Sequence, residues 1–137
     1  LILLHNRYKN RIEIIRKYGN IPQIECYPGQ LNQVFLNILS NAVDAIDSSG
    51  EIIITTASID GMVRISIRDT GRGIPEEQKE KLFEPFFTTK EVGKGTGLGL
   101  SISHSIIEKH KGSIDVKSEV GKGSDFIITL PIMQGIV

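Results

Sequence analysis

The sequence has little that would mark a secreted, membrane-spanning or nucleic-acid-binding protein. Its one cysteine, Cys26, excludes an internal disulfide and a multi-cysteine metal site, which fits a reducing compartment. Sixteen basic residues balance sixteen acidic ones, so no overall charge attracts nucleic acid or an anionic membrane. The longest apolar runs, such as 52–54, are too short to cross a bilayer, and no signal peptide precedes them. We therefore expect a cytoplasmic domain without direct membrane contact, and a membrane anchor elsewhere in its parent protein stays open.

The length of 137 residues suits one ordinary domain, and 39% apolar residues are enough for one core. No repeat or low-complexity tract divides the chain. Because the sequence starts at Leu1 and not at a methionine, we expect a fragment of a longer protein. In that interpretation residues 1–10 are the end of a preceding helical domain or a linker, and residues 11–137 form the domain.

Hydrophobic periodicity predicts a mixture of helices and antiparallel strands. The predicted elements, in chain order, are strand 11–18, helix 30–47, strands 51–57 and 62–68, an acidic turn at 75–77, helix 98–110, and strands 114–117 and 126–130. Asp60 and Gly61 are a strong hairpin signal between the second and third strands. Such a mixture in a short chain predicts a sheet covered by helices on one face.

The first predicted helix carries a polar stripe bordered by apolar residues. Its core-forming face consists of Leu31, Val34, Phe35, Ile38, Leu39, Ala42 and Ile46. The stripe consists of Gln33, Asn37, Asn41 and Asp44, with Leu36 and Val43 on its far side. Two asparagines one turn apart destabilise a helix unless a partner uses their amides. The partner of these amides could be a ligand or nearby main-chain groups, and the sequence does not distinguish the two.

An aspartate and two glycines follow the third predicted strand. A carboxylate fixed at Asp69 can accept a hydrogen bond from an exocyclic amine such as that of adenine. Gly71 and Gly73 would let the main chain approach a flat ring. The alternative is a tight turn with a solvent-facing aspartate.

A second glycine-rich segment, 93–100, runs into the second long predicted helix. Free N–H groups at a helix start, helped by the helix dipole, can hold phosphate. Lys90 and Lys94 add positive charge to this segment. A flexible connector explains the glycines equally well.

Taken in order, these segments resemble the nucleotide-binding domain shared by histidine kinases and the gyrase, heat-shock-chaperone and mismatch-repair ATPases. The matching motifs are NxxxNAxDA at 37–45 for the N box, DTGRGIP at 69–75 and GKGTGLGLSIS at 93–103 for two glycine boxes, and LFEPFFTTK at 82–90 for the F box. The resemblance covers about residues 30–130. It implies the Bergerat ATP-binding fold, an α+β two-layer sandwich. Its mixed, mostly antiparallel sheet is covered on one face by helices, with a mobile ATP lid at about 87–97.

The resemblance also implies a site for ATP or ADP with Mg²⁺. Asp69 would bind the adenine amino group, and Asn41 would supply an oxygen to Mg²⁺, with Asn37 beside it as a second catalytic residue. Lys90, Thr96 and the main chain of 95–98 would contact the phosphates. The full set of expected nucleotide contacts is Asn41, Asp44, Asp69, Gly71, Gly73, Ile74, Phe87, Thr89, Lys90, Gly95, Thr96, Gly97, Leu98 and Gly99.

Asn37 bears on the expected reaction. The hydrolytic relatives carry a glutamate at this position, and an amide cannot act as a general base at neutral pH. The resemblance therefore implies a protein-histidine kinase domain, which transfers the γ-phosphoryl group to a histidine on a separate dimerisation domain. A response regulator would be the downstream partner of such a two-component kinase. Asp44 resembles the NAxDA variant of nitrogen-regulation-type kinases, which have no lysine there.

The three histidines of this chain do not resemble the family's phosphoacceptor. His5 lacks the acidic neighbour and the following proline of that motif, and His104 and His110 are expected at the surface or a boundary. Two other functions stay open beside the kinase. They are an ATP-hydrolysing enzyme of the chaperone or topoisomerase kind, and a non-catalytic module whose docking surface responds to nucleotide.

Overall fold

The structure, a computed structural model, describes residues 12–18, 28–84 and 99–132, without the side chain of Pro28. The helices and strands in chain order are β1 (Ile12–Tyr18), α1 (Pro28–Ala45), β2 (Gly50–Ile59), β3 (Met62–Asp69), α2 (Glu76–Lys79), α3 (Gly99–Lys109), β4 (Ser113–Glu119) and β5 (Gly123–Pro131). Each predicted strand and long helix has its counterpart, with bounds that differ by a few residues. None of the described helices combines the length and the apolar character needed to span a membrane.

The five strands of the described residues form one sheet in the order β1-β2-β3-β5-β4. β1 runs parallel to β2, and all other neighbouring strands are antiparallel. Parallel neighbours need a crossover, and α1 supplies it between β1 and β2. The predicted hairpin between β2 and β3 turns at Asp60 and Gly61, which have φ of 51° and 76°. Positive φ at both residues is what a two-residue hairpin turn requires.

The core lies between one face of the sheet and the helices α1 and α3. Alternation along β3 turns Val63 and Ile67 into this layer and leaves Arg64 and Arg68 exposed. The helices contribute Leu31, Val34, Ile38, Leu39, Ala42, Val43, Ile46 and Ile107, and the sheet contributes Ile12, Ile52, Ile54, Ile67, Ile114, Phe126, Ile128 and Leu130. The expected α+β sandwich with a mixed, mostly antiparallel sheet is therefore confirmed.

Helix α1 differs from its predicted bounds at both ends. It begins at Pro28. The first N–H groups of a helix have no acceptor within the helix, so a proline, which has no N–H, loses no hydrogen bond there. It ends at Ala45, before the expected Asp47, because the N–H of Arg72 donates a hydrogen bond to the Ala45 carbonyl oxygen, with 3.0 Å between nitrogen and oxygen. Val43 is only 1% exposed, so the buried arc of α1 is wider than its predicted apolar face.

The expectation of a surface or boundary position is wrong for His110, which is 0% exposed at the end of α3. Its ring Nδ1 lies 2.8 Å from the carbonyl oxygen of Ile106. Because a carbonyl only accepts, Nδ1 carries the proton of this bond. The imidazole is thus buried with a hydrogen-bond partner one turn back on the same helix. His104 is half-buried, as expected of a boundary residue.

Candidate functional site

Asp69 is the last residue of β3 and is only 2% exposed. Its Oδ1 accepts a hydrogen bond from the main-chain N–H of Gly71 at 2.8 Å. The main-chain N–H of Ser124, opposite it on β5, also donates to the carboxyl group. A tight turn with a solvent-facing aspartate is therefore wrong for this residue, since the carboxylate is enclosed.

Burial raises the pKa of Asp69 above its ordinary value of 3.8, because the enclosed site disfavours the charged form. The N–H donors of Gly71 and Ser124 and the positive charge of Arg72 act in the opposite direction, and the charge of Asp125 adds to the increase. Asp69 has no salt bridge to any residue in the described part of the chain. A buried carboxyl group without a paired cation is a polar group that a ligand can use.

The two glycines after Asp69 allow close approach of the main chain to other main-chain segments. A Cβ at Gly71 would lie 2.5 Å from the carbonyl oxygen of Ala45 at the end of α1. A Cβ at Gly73, where φ is +77°, would lie 2.2 Å from the carbonyl oxygen of Glu119 in β4. The glycines are thus required for packing this loop between α1 and β4, which is a reason the sequence did not show.

Arg72 bonds this loop to the last turn of α1. Its N–H donates to the Ala45 carbonyl oxygen at 3.0 Å, and its Nη1 donates to the Asp44 carbonyl oxygen at 3.0 Å. The same Nη1 lies 3.3 Å from Oδ1 of Asp47. In the other direction, the Arg72 carbonyl oxygen accepts from the N–H of Gly121 at 2.8 Å. The loop that follows Asp69 is therefore fixed to α1 and to the β4–β5 turn.

Asn37 faces α3. Its Nδ2 donates to the carbonyl oxygen of Gly99 at 3.1 Å and lies 3.2 Å from Oγ of Ser103. The Ser103 hydroxyl in turn donates to the Gly99 carbonyl oxygen at 2.8 Å. A nearby main-chain carbonyl group and a hydroxyl group thus accept the hydrogen bonds of the Asn37 amide nitrogen. Of the two partners that the sequence left open for this amide, these are the neighbouring protein groups.

Asn41 lies on α1 between two contacts of that helix. Asn37, one turn before it, contacts the first residue of α3, and Ala45, one turn after it, contacts the loop at Gly71. Residues four apart on an α-helix lie on the same side, so Asn41 lies between these contacts on that side of the helix. Its side chain is half-buried. The structure therefore brings the N box and the first glycine box together at the C-terminal half of α1.

The other described residues of the expected site lie around these two segments. Asp44 is half-buried on α1, and Gly99 is the first residue of α3. Ile74 is half-buried, and its N–H donates to Oγ of Ser118 at 2.8 Å. Gln33 is exposed, so the polar stripe of α1 is enclosed only from Asn37 onwards. Phe87, Thr89, Lys90, Gly95, Thr96, Gly97 and Leu98, together with the expected lid at 87–97, lie outside the described residues.

Two serines with structural roles at the site were missed in the sequence. Ser103 is fully buried and joins Asn37 to Gly99. Ser118 accepts from Ile74, donates to the Gly123 carbonyl oxygen at 2.9 Å, and lies 2.8 Å from the hydroxyl of Ser124. A helical wheel of α3 would have found Ser103, which falls on the buried face. No local pattern distinguishes Ser118 from other strand serines.

Comparison with known proteins defines the class. The sequence matches the family described as histidine kinase-, DNA gyrase B-, and HSP90-like ATPase over residues 26–134, and the chain belongs to this family. It is 51% identical over 116 residues to sporulation kinase E of Bacillus subtilis (strain 168), a match that covers 84% of this chain. The chain spans about 15% of the length of that relative.

Solved structures give the same assignment. The catalytic domain of the histidine kinase ThkA superposes with a TM-score of 0.85 at 37% identity, over 97% of this chain and 88% of that one. Full-length ShkA in complex with AMPPNP has a TM-score of 0.85 at 32% identity, over 99% of this chain and 29% of that one. ThkA in complex with the response regulator TrrA has a TM-score of 0.81 at 33% identity, over 99% of this chain and 39% of that one. Within the family, the chain is therefore of the histidine kinase catalytic-domain type.

Proposed function

We propose that this chain binds Mg-ATP and transfers its γ-phosphoryl group to a histidine on a separate dimerisation domain of a cytoplasmic or membrane-anchored sensor kinase. The observation that carries the proposal is the enclosed carboxyl group of Asp69, held by the loop that packs on α1 beside the two asparagines. A response regulator would receive the phosphoryl group next. The complex of ThkA with TrrA supports this partner, and the AMPPNP complex of ShkA supports the nucleotide.

The proposed site recognises the two ends of the nucleotide with different groups. The carboxylate of Asp69 accepts a hydrogen bond from the adenine amino group, at a position that burial almost closes to water. The amide oxygen of Asn41 is a ligand of the hard oxygen type that Mg²⁺ prefers. No cluster of three acidic, histidine or cysteine side chains suited to a metal occurs among the described residues. Asn41 would thus hold Mg²⁺ with phosphate and water oxygens completing its shell, and the ion would supply neutralisation of phosphate charge.

The reaction needs no base from this part of the chain. The nitrogen of the acceptor histidine forms a bond to the γ-phosphorus as the bond to the β-phosphate oxygen breaks, and ADP leaves with that electron pair. The phosphorylated imidazolium then loses its proton to water. Positioning and charge neutralisation by the site supply the rate enhancement.

Asn37 favours this transfer over hydrolysis. Its amide cannot deprotonate water, and its amino group is already bonded to Gly99 at the start of α3. A γ-phosphoryl group bound here is thus left intact until an external nucleophile reaches it. A hydrolytic enzyme would need a carboxylate at this position.

The first experiment measures ADP affinity by titration calorimetry, with and without Mg²⁺, for the unmodified chain and for Asp69→Asn. We expect tight Mg²⁺-dependent binding by the unmodified chain and a loss of at least about tenfold in the variant, because the amide presents a donor to the adenine amine. Asp115→Asn, an exposed carboxylate on β4, is the matched control. Equal affinities for all three proteins would refute the role of Asp69.

The second experiment tests the reaction with labelled ATP and a dimerisation domain from a related kinase as acceptor. We expect acid-labile phosphohistidine on the acceptor, and its loss in Asn41→Ala but not in Asn32→Ala, whose residue is exposed on α1. Phosphate release by the chain alone would instead favour a hydrolytic enzyme. Nucleotide binding without transfer to any acceptor would favour a nucleotide-gated interaction module.

A further inference from the structure

We propose that Arg72 is a positioning residue that sets the placement of the base-binding carboxyl group of Asp69 relative to the metal-binding amide of Asn41. This inference rests on the proposed function and adds a residue to its site. Arg72 lies in the loop that packs on the end of α1, and it is not itself expected to touch the nucleotide.

The hydrogen bonds of Arg72 reach both sides of the loop. On one side, its N–H and its Nη1 cap two carbonyl oxygens of the last turn of α1, those of Ala45 and Asp44, each at 3.0 Å. On the other side, its carbonyl oxygen accepts from Gly121 in the β4–β5 turn at 2.8 Å. The last carbonyl groups of a helix have no partner within the helix, so a residue that caps them fixes the helix end to its own segment.

These bonds connect the two halves of the proposed site over a short path. Asp69 precedes Arg72 by three residues and is held by its own bond to the N–H of Gly71. Asn41 precedes Ala45 by one helical turn on the same side of α1. A rotation of the loop about the end of α1 would therefore change the separation of Asp69 and Asn41, and the Arg72 bonds oppose that rotation.

The ion pair with Asp47 is not what makes Arg72 important. The two side chains are 46% and 82% exposed, and exposed ion pairs of this kind contribute little to stability. The carbonyl groups of α1 are different, because a charged donor that caps a helix C-terminus also interacts favourably with the helix dipole. The positive charge of Arg72 also lowers the pKa of Asp69 against the effect of burial.

The test compares a ligand that uses both halves of the site with one that uses a single half. Mg-ADP spans the carboxyl group and the metal ligand, whereas adenosine needs only the carboxyl group. Arg72→Ala keeps the two main-chain bonds of this residue and removes the bond from its Nη1 to the Asp44 carbonyl oxygen. We expect its affinity for Mg-ADP to fall about tenfold while that for adenosine stays within about twofold, since each half remains intact and the loop can turn about its remaining bond to Ala45. Calorimetry measures the first affinity and the chemical-shift titration of Gly71 the second.

Two further variants separate capping from charge and from general damage. Arg72→Gln keeps a neutral donor for the Asp44 carbonyl oxygen, and we expect it to bind Mg-ADP within about threefold of the unmodified chain. Arg68→Ala removes an exposed arginine from β3 without touching the loop, and we expect it to bind both ligands normally. Thermal unfolding identifies any variant that is not folded.

Equal losses for Mg-ADP and adenosine in Arg72→Ala would overturn the positioning role, because they would indicate general disruption of the loop. Unchanged affinity for Mg-ADP would also overturn it. Failure of the unmodified chain to bind Mg-ADP is a different result, since it would refute the proposed function itself.

Discussion

The side-chain amide of Asn37 donates to the main-chain carbonyl oxygen of Gly99 at 3.1 Å, which joins α1 to the first residue of α3. The same nitrogen lies 3.2 Å from the hydroxyl oxygen of Ser103. Because a carbonyl group cannot donate, the position of Asn37 demands a donor on the side that faces α3. A carboxylate there would place an acceptor against an acceptor.

We therefore expect Asn37→Asp to lower the free energy of unfolding by about 1–3 kcal/mol, because a carboxylate oxygen would replace the donor that now faces the Gly99 carbonyl oxygen. The same change at Asn32, which is exposed on α1, should have little effect. Urea unfolding measures both. The variant should also not gain ATP hydrolysis, because the carbonyl oxygen of Gly99 repels a carboxylate at this position. Sustained phosphate release by Asn37→Asp would contradict this repulsion.

The raised pKa of Asp69 makes stability depend on pH in a defined direction. The folded protein holds the Asp69 proton more tightly than the unfolded chain, whose value is near 3.8. The stabilisation from protonated Asp69 is therefore fully present below 3.8 and is lost as the pH rises through the higher folded pKa.

In Asp69→Asn this loss should be absent, because the amide does not titrate. Urea unfolding over a pH series should show that the difference in unfolding free energy between Asp69→Asn and the unmodified chain moves in favour of the variant as the pH rises above 3.8. Asp115→Asn, which changes an exposed carboxylate, is the control. A difference that does not change with pH would show that burial does not control the titration of Asp69.

Gly71 cannot accept a side chain without movement of α1 or of the loop. A Cβ there would lie 2.5 Å from the carbonyl oxygen of Ala45, so we expect Gly71→Ala to destabilise the fold by about 1–3 kcal/mol. Gly29, where a Cβ would meet nothing within 4 Å, is the matched site, and Gly29→Ala should leave the unfolding temperature unchanged or slightly raised. Equal unfolding temperatures for the two variants would contradict the close approach of Gly71 to α1.

Ser118 holds the far end of the same loop through the N–H of Ile74, at 2.8 Å. We expect Ser118→Ala to speed amide hydrogen exchange at Ile74 selectively and to cost about 1–2 kcal/mol of stability, because that N–H loses its acceptor. Ser113→Ala, at the exposed start of the same strand, should change neither quantity. Unaltered protection of Ile74 would mean that another group accepts its hydrogen.

Local patterns in the sequence predicted the elements and the enclosed polar groups. Alternation along β3 placed Asp69 at a strand end, and the stripe on α1 indicated that Asn37 and Asn41 are not solvated. The same periodicity applied to α3 would have predicted that Ser103 and His110 are buried with Ile107, since the three share one face of that helix.

Contacts between distant segments were not predictable from local patterns. The glycines at 71 and 73 indicated close approach, but only the structure shows that Ala45 and Glu119 are what approaches. The capping of α1 by Arg72 depends on a hydrogen bond between residues 28 positions apart, and nothing in the DTGRGIP motif identifies its partner. The parallel direction of β1 is also a tertiary property, because a single strand carries no signal for the orientation of its neighbour.

The parallel pairing of β1 with β2 has a consequence for the behaviour of shortened forms of this protein. β1 covers one side of β2 over seven residues, from Ile12 opposite Gly50 to Tyr18 opposite Thr56. Removing it would leave a long apolar strand with a row of unpaired peptide groups, which is a template for edge-to-edge aggregation. β1 presents the exposed charges of Glu13, Arg16 and Lys17 at that border, so it also protects the sheet from self-association.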